Sequence, residues 1–283
     1  MSALRIVFKI ERTIRPNPNA LEIKIYNLSL ATRRWIQDVA RERALALPVT
    51  PGVVRPRKLV FIELEAGYDG AMNRLFYGDV FVVRDRVEGP DVITTVLASD
   101  GGARTRTARV NRSFRRGTTP QQILDHLIDA LGVGPGNARQ AFRGVRLGNL
   151  SAYATGTLLS GSATYEMDRF CDSAGFEWSV VDGQLQLTRV RQGLSDAAVE
   201  LSPRTGLVGS PMREGLYVVK GKCFIQPDVT PGRMITVHSA EVNGDRLRVY
   251  RTIVEGDTHG PNWYINFESR PPVQPFAERG IPA

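Results

Sequence analysis

Two stretches in which apolar and polar residues alternate, one on each side of a segment with helical spacing, limit this chain more than any other feature. Leu4, Ile6, Phe8 and Ile10 alternate with polar neighbours, and after the turn Pro16-Asn17-Pro18-Asn19 so do Leu21, Ile23 and Ile25, through Tyr26. Successive side chains of a strand point to opposite faces, so these runs read as half-buried strands forming an antiparallel pair. Ser29 or Thr32 then caps a helix that runs through Trp35, Ile36 and Val39 toward Arg43 and ends before Pro48 and Pro51. Strands resume at 58–65, with Leu59, Phe61 and Glu63 on one face, and continue at 75–85 and 91–99. The turns Tyr68-Asp69-Gly70 and Glu88-Gly89-Pro90 join them. About five strands in so short a stretch suggest a small antiparallel barrel or sandwich.

The middle of the chain changes period. Thr119-Pro120-Gln121-Gln122 is a capping box with proline at the first helical position; Ile123, Leu124, Leu127, Ile128 and Leu131 make the apolar face, and Gly132 is the stop. A second helix is expected over 162–174, with Ala163, Met167, Phe170 and Ala174 inward and Gly175 closing it. The pair 176–181 and 184–190 around Asp182-Gly183 reads as a hairpin, because both turn positions tolerate positive φ. Alternation then returns over 215–224 (Leu216, Val218, Cys223), 234–238, 246–255 and 263–269. The expected fold class is α+β, mostly β. Residues 1–105 form a first β module with a helical insertion near 29–45, 106–195 an α+β module, 196–270 a second β module, and 271–283 a tail rich in proline and glycine. The two flanking modules hint at internal duplication, although their sequences are too different to establish a repeat.

Composition narrows the function. Of 283 residues, 42% are apolar and 23% charged, the balance of a folded domain, and no run is long and apolar enough to span a membrane. The start of the chain alternates rather than forming a signal peptide's apolar core, so folding in a cytoplasm is expected. Cys171 and Cys223 lie in no metal or redox spacing and read as reduced, buried thiols. The net charge is +8, densest at Arg104, Arg106, Arg109, Arg112, Arg115 and Arg116. Such a cluster suits a solvated linker or an acidic patch on a neighbouring subunit. A single-strand nucleic-acid groove would need interleaved aromatics, and only Phe114 is present.

A search for catalytic constellations finds none. His126, His238 and His259 fall on a helix, a strand end and the turn Gly256-Asp257-Thr258-His259-Gly260. There is no Gly-x-Ser-x-Gly elbow and no His-Glu-x-x-His. Glu63 and Glu65 share one side of a strand, which suits two solvated charges better than a glycosidase pair. Gly132-Val133-Gly134-Pro135-Gly136 follows a helix and lacks the P-loop lysine. No catalytic, cofactor or metal residue is assigned. The turn 256–260 reads as a tight backbone in which Asp257 caps neighbouring amides, with Trp263 packing a barrel core or an interface.

Several strings, taken in order, resemble the baseplate hub family of phage tails and contractile injection systems. They are residues 18–29 followed by Thr32-Arg33; residues 64–70, 75–80 and 98–101; Phe176-Glu177-Trp178 with Asp182-Gly183; and residues 206–211, Pro231-Gly232 and 256–260 with Trp263. The resemblance implies two tail-tube-like antiparallel β-barrel domains flanking a small α+β module. It further implies a homotrimer whose six barrels form a ring between a six-fold tail tube and a three-fold spike in the virion baseplate. The implied partners are tube protein, spike protein, and tape-measure and baseplate wedge proteins. DNA would pass through the lumen without specific binding, and no enzyme activity, cofactor or membrane is implied. Structural or interface roles are expected for Trp35, Tyr68, Gly78, Asp79, Trp178, Gly256, Asp257, Thr258, His259 and Trp263. The alternatives are a basic nucleic-acid-binding β-barrel and a tail-associated cell-wall hydrolase.

Overall fold

The computed structural model describes residues 4–15, 18–45, 60–143, 145, 156–190, 193–194, 197–215 and 217–272. Pro16 and Asn17 of the expected turn, Pro48, Pro51, Leu59, Leu216 and the tail beyond residue 272 lie outside the described residues, as do the side chains of Arg43 and Arg104.

The first alternating stretch forms β1 (Ile6–Thr13) and β2 (Ala20–Tyr26), paired with Ile10 opposite Leu21. Helix α1 (Leu30–Leu45) follows, and the Ser29 hydroxyl accepts the Thr32 N–H at 3.1 Å as its N-cap. Then come β3 (Phe61–Tyr68), β4 (Ala71–Glu88) and β5 (Asp91–Ser99). On β3, Ile62, Leu64 and Ala66 meet the core, whereas Phe61, Glu63 and Glu65 are exposed. The middle module holds α2 (Gly102–Thr107), β6 (Arg109–Phe114), α3 (Pro120–Leu131), α4 (Ala138–Ala141), β7 (Thr157–Ser162), α5 (Ala163–Ala174), β8 (Phe176–Val181) and β9 (Gln184–Arg189). The capping box is formed on both sides: Gln122 N–H donates to Thr119 Oγ1 at 3.3 Å and Thr119 N–H to Gln122 Oε1 at 3.0 Å. Asp182 (φ 52°) and Gly183 (φ 73°) make the tight turn between β8 and β9. The last stretch forms β10 (Ala198–Leu201), β11 (Leu207–Glu214), β12 (Val218–Phe224), β13 (Met234–His238), β14 (Asn243–Asp257) and β15 (Trp263–Arg270). The strand expected from residue 215 starts later, because Gly215 (φ 64°) is in a turn after β11, a strand whose run Val208-Gly209-Ser210-Pro211 hides any alternation.

The two β-rich stretches have the same strand order. The first runs β1-β2-β5-β4-β3, the second β11-β12-β15-β14-β13, and β14 pairs with β1 to join them in one sheet that β10 brings to 11 strands. The register repeats as well. Asp79 in β4 faces both Phe61 and Ser99, as Arg248 in β14 faces both Met234 and Arg270. Each long strand then carries a bulge two residues on, between Val80 and Val82 in β4 and between Val249 and Arg251 in β14. Phe81 and Tyr250 are the residues extruded. A bulge inserts one residue and bends the strand, so equal placement gives both units the same curvature. The duplication is present in pairing even though it is faint in sequence. Buried residues of both units form one hydrophobic cluster, and the middle module has its own around Leu127, Phe170 and Trp178.

A buried polar joint holds the middle module on the sheet. Asp100, just past β5, accepts the N–H groups of Asp182 and Gly183, the latter at 2.6 Å. Asn19 donates to Val180 O at 3.0 Å, and Asp182 Oδ1 accepts the Tyr77 N–H at 3.2 Å. The buried Arg12 guanidinium bonds Leu75 O; burial pushes its pKa down, and nearby Asp182 and Asp100 push it back up. Arg248 is wholly buried, with Nη2 2.8 Å from Glu177 Oε2. No hydrogen-bond alignment joins these two groups, so the contact is a charge pairing across the joint. Burial pushes the Asp100 carboxyl up to about 6, against the hydrogen bonds it accepts from Gly183 and Asp182. A carboxyl with a raised folded pKa favours the fold below its unfolded value, and that contribution is lost as pH rises through the folded value. Asp100 is therefore expected to cost on the order of 3 kcal/mol of stability between about pH 4 and pH 7. Denaturant unfolding across that window should show a shallower pH dependence in Asp100→Asn than in the native chain.

Candidate functional site

The turn after β14 gathers the start of the chain, the end of β14 and the start of β15. Asp257 Oδ1 accepts the His259 N–H at 3.0 Å, and its backbone N–H reaches Asn262 O at 2.8 Å. Arg5 grips the same carboxylate through Nε at 3.2 Å and Nη2 at 2.8 Å, and this hydrogen bonding holds Asp257 below the usual carboxylate range. Thr258 continues the ladder of β1: its N–H donates to Ile6 O at 3.0 Å, its Oγ1 accepts the Ile6 N–H at 3.0 Å and donates to Leu4 O. His259 touches Thr258 through Nδ1 at 3.0 Å. A side chain at Gly256 would have to displace its neighbours, because a Cβ there would collide with the Phe8 ring and lie 2.9 Å from Trp263 Cζ3. Phe8 and Trp263 meet edge to face at 5.5 Å.

The same tryptophan ties down the far end of the sheet. Trp263 Nε1 donates to Gly67 O at 3.0 Å, the Tyr68 hydroxyl donates to Trp263 O at 3.4 Å, and that hydroxyl accepts the buried Ile225 N–H at 3.0 Å. Strand β3 ends the sheet order on one side, yet its tip reaches β15 and the residue after β12, so the sheet curls around its core. Burial raises the Tyr68 pKa.

The structure thus brings Tyr68, Gly256, Asp257, Thr258, His259 and Trp263 together. Gly78 and Asp79 lie apart from them, where β4 changes partners; a Cβ on Gly78 would sit 2.6 Å from Ser99 O, and Asp79 is buried. Trp178 belongs to the middle module's core and donates Nε1 to Asp168 at 2.7 Å. Trp35 is 66% exposed on α1, a helix with no buried residue among its described side chains, held to β4 by Arg33 and Gln37 on Asp85. Asp100, Asn19, Arg12 and Arg248 were not singled out. Each is an ordinary polar residue in a strand or turn, and its burial depends on partners some 60 to 160 positions away.

No reactive group emerges among the described residues. Both cysteines are free and buried in separate cores, and burial raises both thiols, Cys223 to about 12. Glu63 is exposed and paired with Arg74 at 3.4 Å. No three His, Cys, Asp or Glu side chains gather as a metal site among the described residues. Arg106, Arg109, Arg112, Arg115 and Arg116 are exposed on and around β6.

A scan against family models matches residues 2–245 to the family described as baseplate hub gp41. The chain belongs to the baseplate hub gp41 family. Membership makes it a phage-tail structural protein of the baseplate hub class. Solved structures share the fold at low identity. The 43 kDa tail protein of prophage MuSo2 from Shewanella oneidensis superposes with TM-score 0.57 at 9% identity, covering 95% of this chain and 98% of that one. A tail protein from Neisseria meningitidis MC58 gives 0.54 at 9%, covering 93% and 91%. The Escherichia coli c3393 protein, a component of the type VI secretion system similar to the T4 tail proteins gp27 and gp5, gives 0.52 at 11%, covering 94% and 73%. No curated protein sequence matches.

For this hub-family chain, the clasp around Trp263 makes a direct prediction. Tyr68→Phe strands the buried Ile225 N–H, and Gly256→Ala overpacks Phe8; each should cost about 1–3 kcal/mol. Thermal melts should fall in both, and hydrogen exchange should rise first around Gly67 and Ala71 in the tyrosine variant.

Proposed function

We propose that this chain is the structural hub of a phage-type tail, assembling as a homotrimer whose barrel-like units form a ring. Two matched units in each of three chains make six positions, which is the number needed to meet a six-fold tail tube above while offering a three-fold face to a spike below. The observation that carries the reading is the repeated strand order with its matched bulges, since one chain then supplies two near-equivalent ring positions. The division into barrel domains at 1–105 and 196–270 belongs to this proposal, with the α+β module outside the ring. Tube and spike proteins are the axial neighbours; tape-measure and wedge proteins are the others, and DNA passes through the lumen without specific contacts. The role is mechanical, with no catalytic step and no cofactor, and its place is the virion baseplate.

Electron cryomicroscopy of purified tail ends tests this. Three copies of the chain around the axis between tube and spike are the expected result. Any other copy number, or a place away from the axis, would overturn the reading.

A further inference from the structure

The two units are joined inside one chain by a strand pairing that leaves its own counterpart unmade. Strand β14 uses one edge for β15 along 248–256; the opposite edge takes β13 up to Arg248 and then β1 from Arg251 to Asp257. Strand β4 is built the same way, with β5 on one edge along 79–88 and β3 on the other up to Asp79, after which the Val80 N–H still donates to Val60 O. The slot that β1 fills on β14 is therefore unpaired on β4, over 82–88, among the described residues. At the other end of the sheet, β11 is the equivalent of β1 and, among the described residues, pairs only with β12.

We infer that the part of β11 from Met212 to Glu214 in a second copy of this chain pairs antiparallel with residues 84–86 of β4, repeating between chains the centre of the contact that β1 makes with β14 within one. The inference rests on the ring reading above and adds its joint. The register follows from the repeat. Aligning the β4–β5 and β14–β15 ladders at their bulges places Arg84 at the position of Ile253 and Asp85 at that of Val254. Aligning β1–β2 with β11–β12 through their neighbours places Glu214 at the position of Glu11 and Arg213 at that of Ile10. Glu11 faces Ile253 and Ile10 faces Val254 in the chain. Glu214 of the second copy then faces Arg84, and its Arg213 faces Asp85.

Charge supports that register. Both opposed pairs carry opposite signs, and opposite charges directly across a ladder stabilise it. The Arg84–Glu214 pair carries the argument, with Glu214 turning from Lys220 to Arg84, because Asp85 already binds Arg33 and Gln37 of α1 and Arg213 already pairs with Asp245. Arg84 is exposed. Beside it, Val87 is 71% exposed, and Met212 on β11 is 70% exposed, so strand addition would cover apolar surface on both edges. The bulge at Gly209-Ser210-Pro211 gives β11 a two-residue excess over β1 at the place where Phe8 sits, which confines regular pairing to the segment from Met212 onward.

Two measurements test this. In a ring resolved by electron cryomicroscopy, β11 against β4 with Arg84 opposite Glu214 is the expected joint. A three-copy ring joined through other strands would overturn this inference and leave the hub reading intact. A chain found in any other copy number would take down the hub reading itself. Charge exchange is the second: Arg84→Glu should weaken self-association at least about tenfold, and adding Glu214→Arg in the same chain should restore it. Circular dichroism must stay native in both, since both positions are exposed. Arg84→Glu with unchanged assembly, or a double variant that is no better than the single, would equally overturn the register.

Discussion

Everything in this molecule depends on the pairing of β1 with β14. Seven residues of the first strand, Val7 to Thr13, run against Asp257 to Arg251, and this single ladder turns two five-strand units into one sheet over one core. The surrounding contacts reinforce it from both ends. At one end Arg5, Thr258 and Asp257 extend the ladder past the last regular pair; at the other Arg251 reaches Glu11 at 2.6 Å and Glu268 at 3.3 Å. An unpaired strand edge is a liability, and here the chain consumes one of its own edges to make the union.

The middle module is a separate solution to burial. The apolar faces of α3 and α5 pack on the β6–β7 ribbon and the β8–β9 hairpin in a core of their own, and the module meets the sheet through polar groups. Asp100, Asn19 and Asp182 satisfy backbone groups that a dry interface would leave stranded. This arrangement orients the module by hydrogen-bond direction, and Arg248 with Glu177 adds a charge contact deeper in the joint.

Much of this architecture was readable from residues. Local signals carried the helices of the middle module, because caps and stops such as Thr119, Gln122, Gly132 and Gly175 act within a turn of the residues they terminate. The Asp182-Gly183 hairpin was legible for the same reason. What escaped was set by distance or by irregularity. β11 was missed because Gly209 and Pro211 break the alternation at its bulge, and the boundary of β12 moved with it. The repeat was only a hint, since it is conserved in pairing, register and bulge position while the side chains differ. Of the candidate site, the 256–260 turn and Trp263 were legible because two glycines four residues apart with a tryptophan close by are conspicuous. The joint around Asp100 did not, because nothing local marks a buried aspartate whose partners arrive from the other side of the chain.

The position of β1 in the middle of the sheet also has a consequence for how the protein is made. Arg5 and Asp257 are 252 positions apart, so β1 cannot take its second neighbour until the intervening residues have been made. Until then β1 has β2 on one side and an open edge on the other. Non-local pairing of this kind slows folding and leaves a sticky intermediate. The nascent first unit meanwhile presents at β1 an edge equivalent to the one β11 keeps in the finished chain. The second unit thus does more than add a copy: its β14 covers that edge within the chain itself.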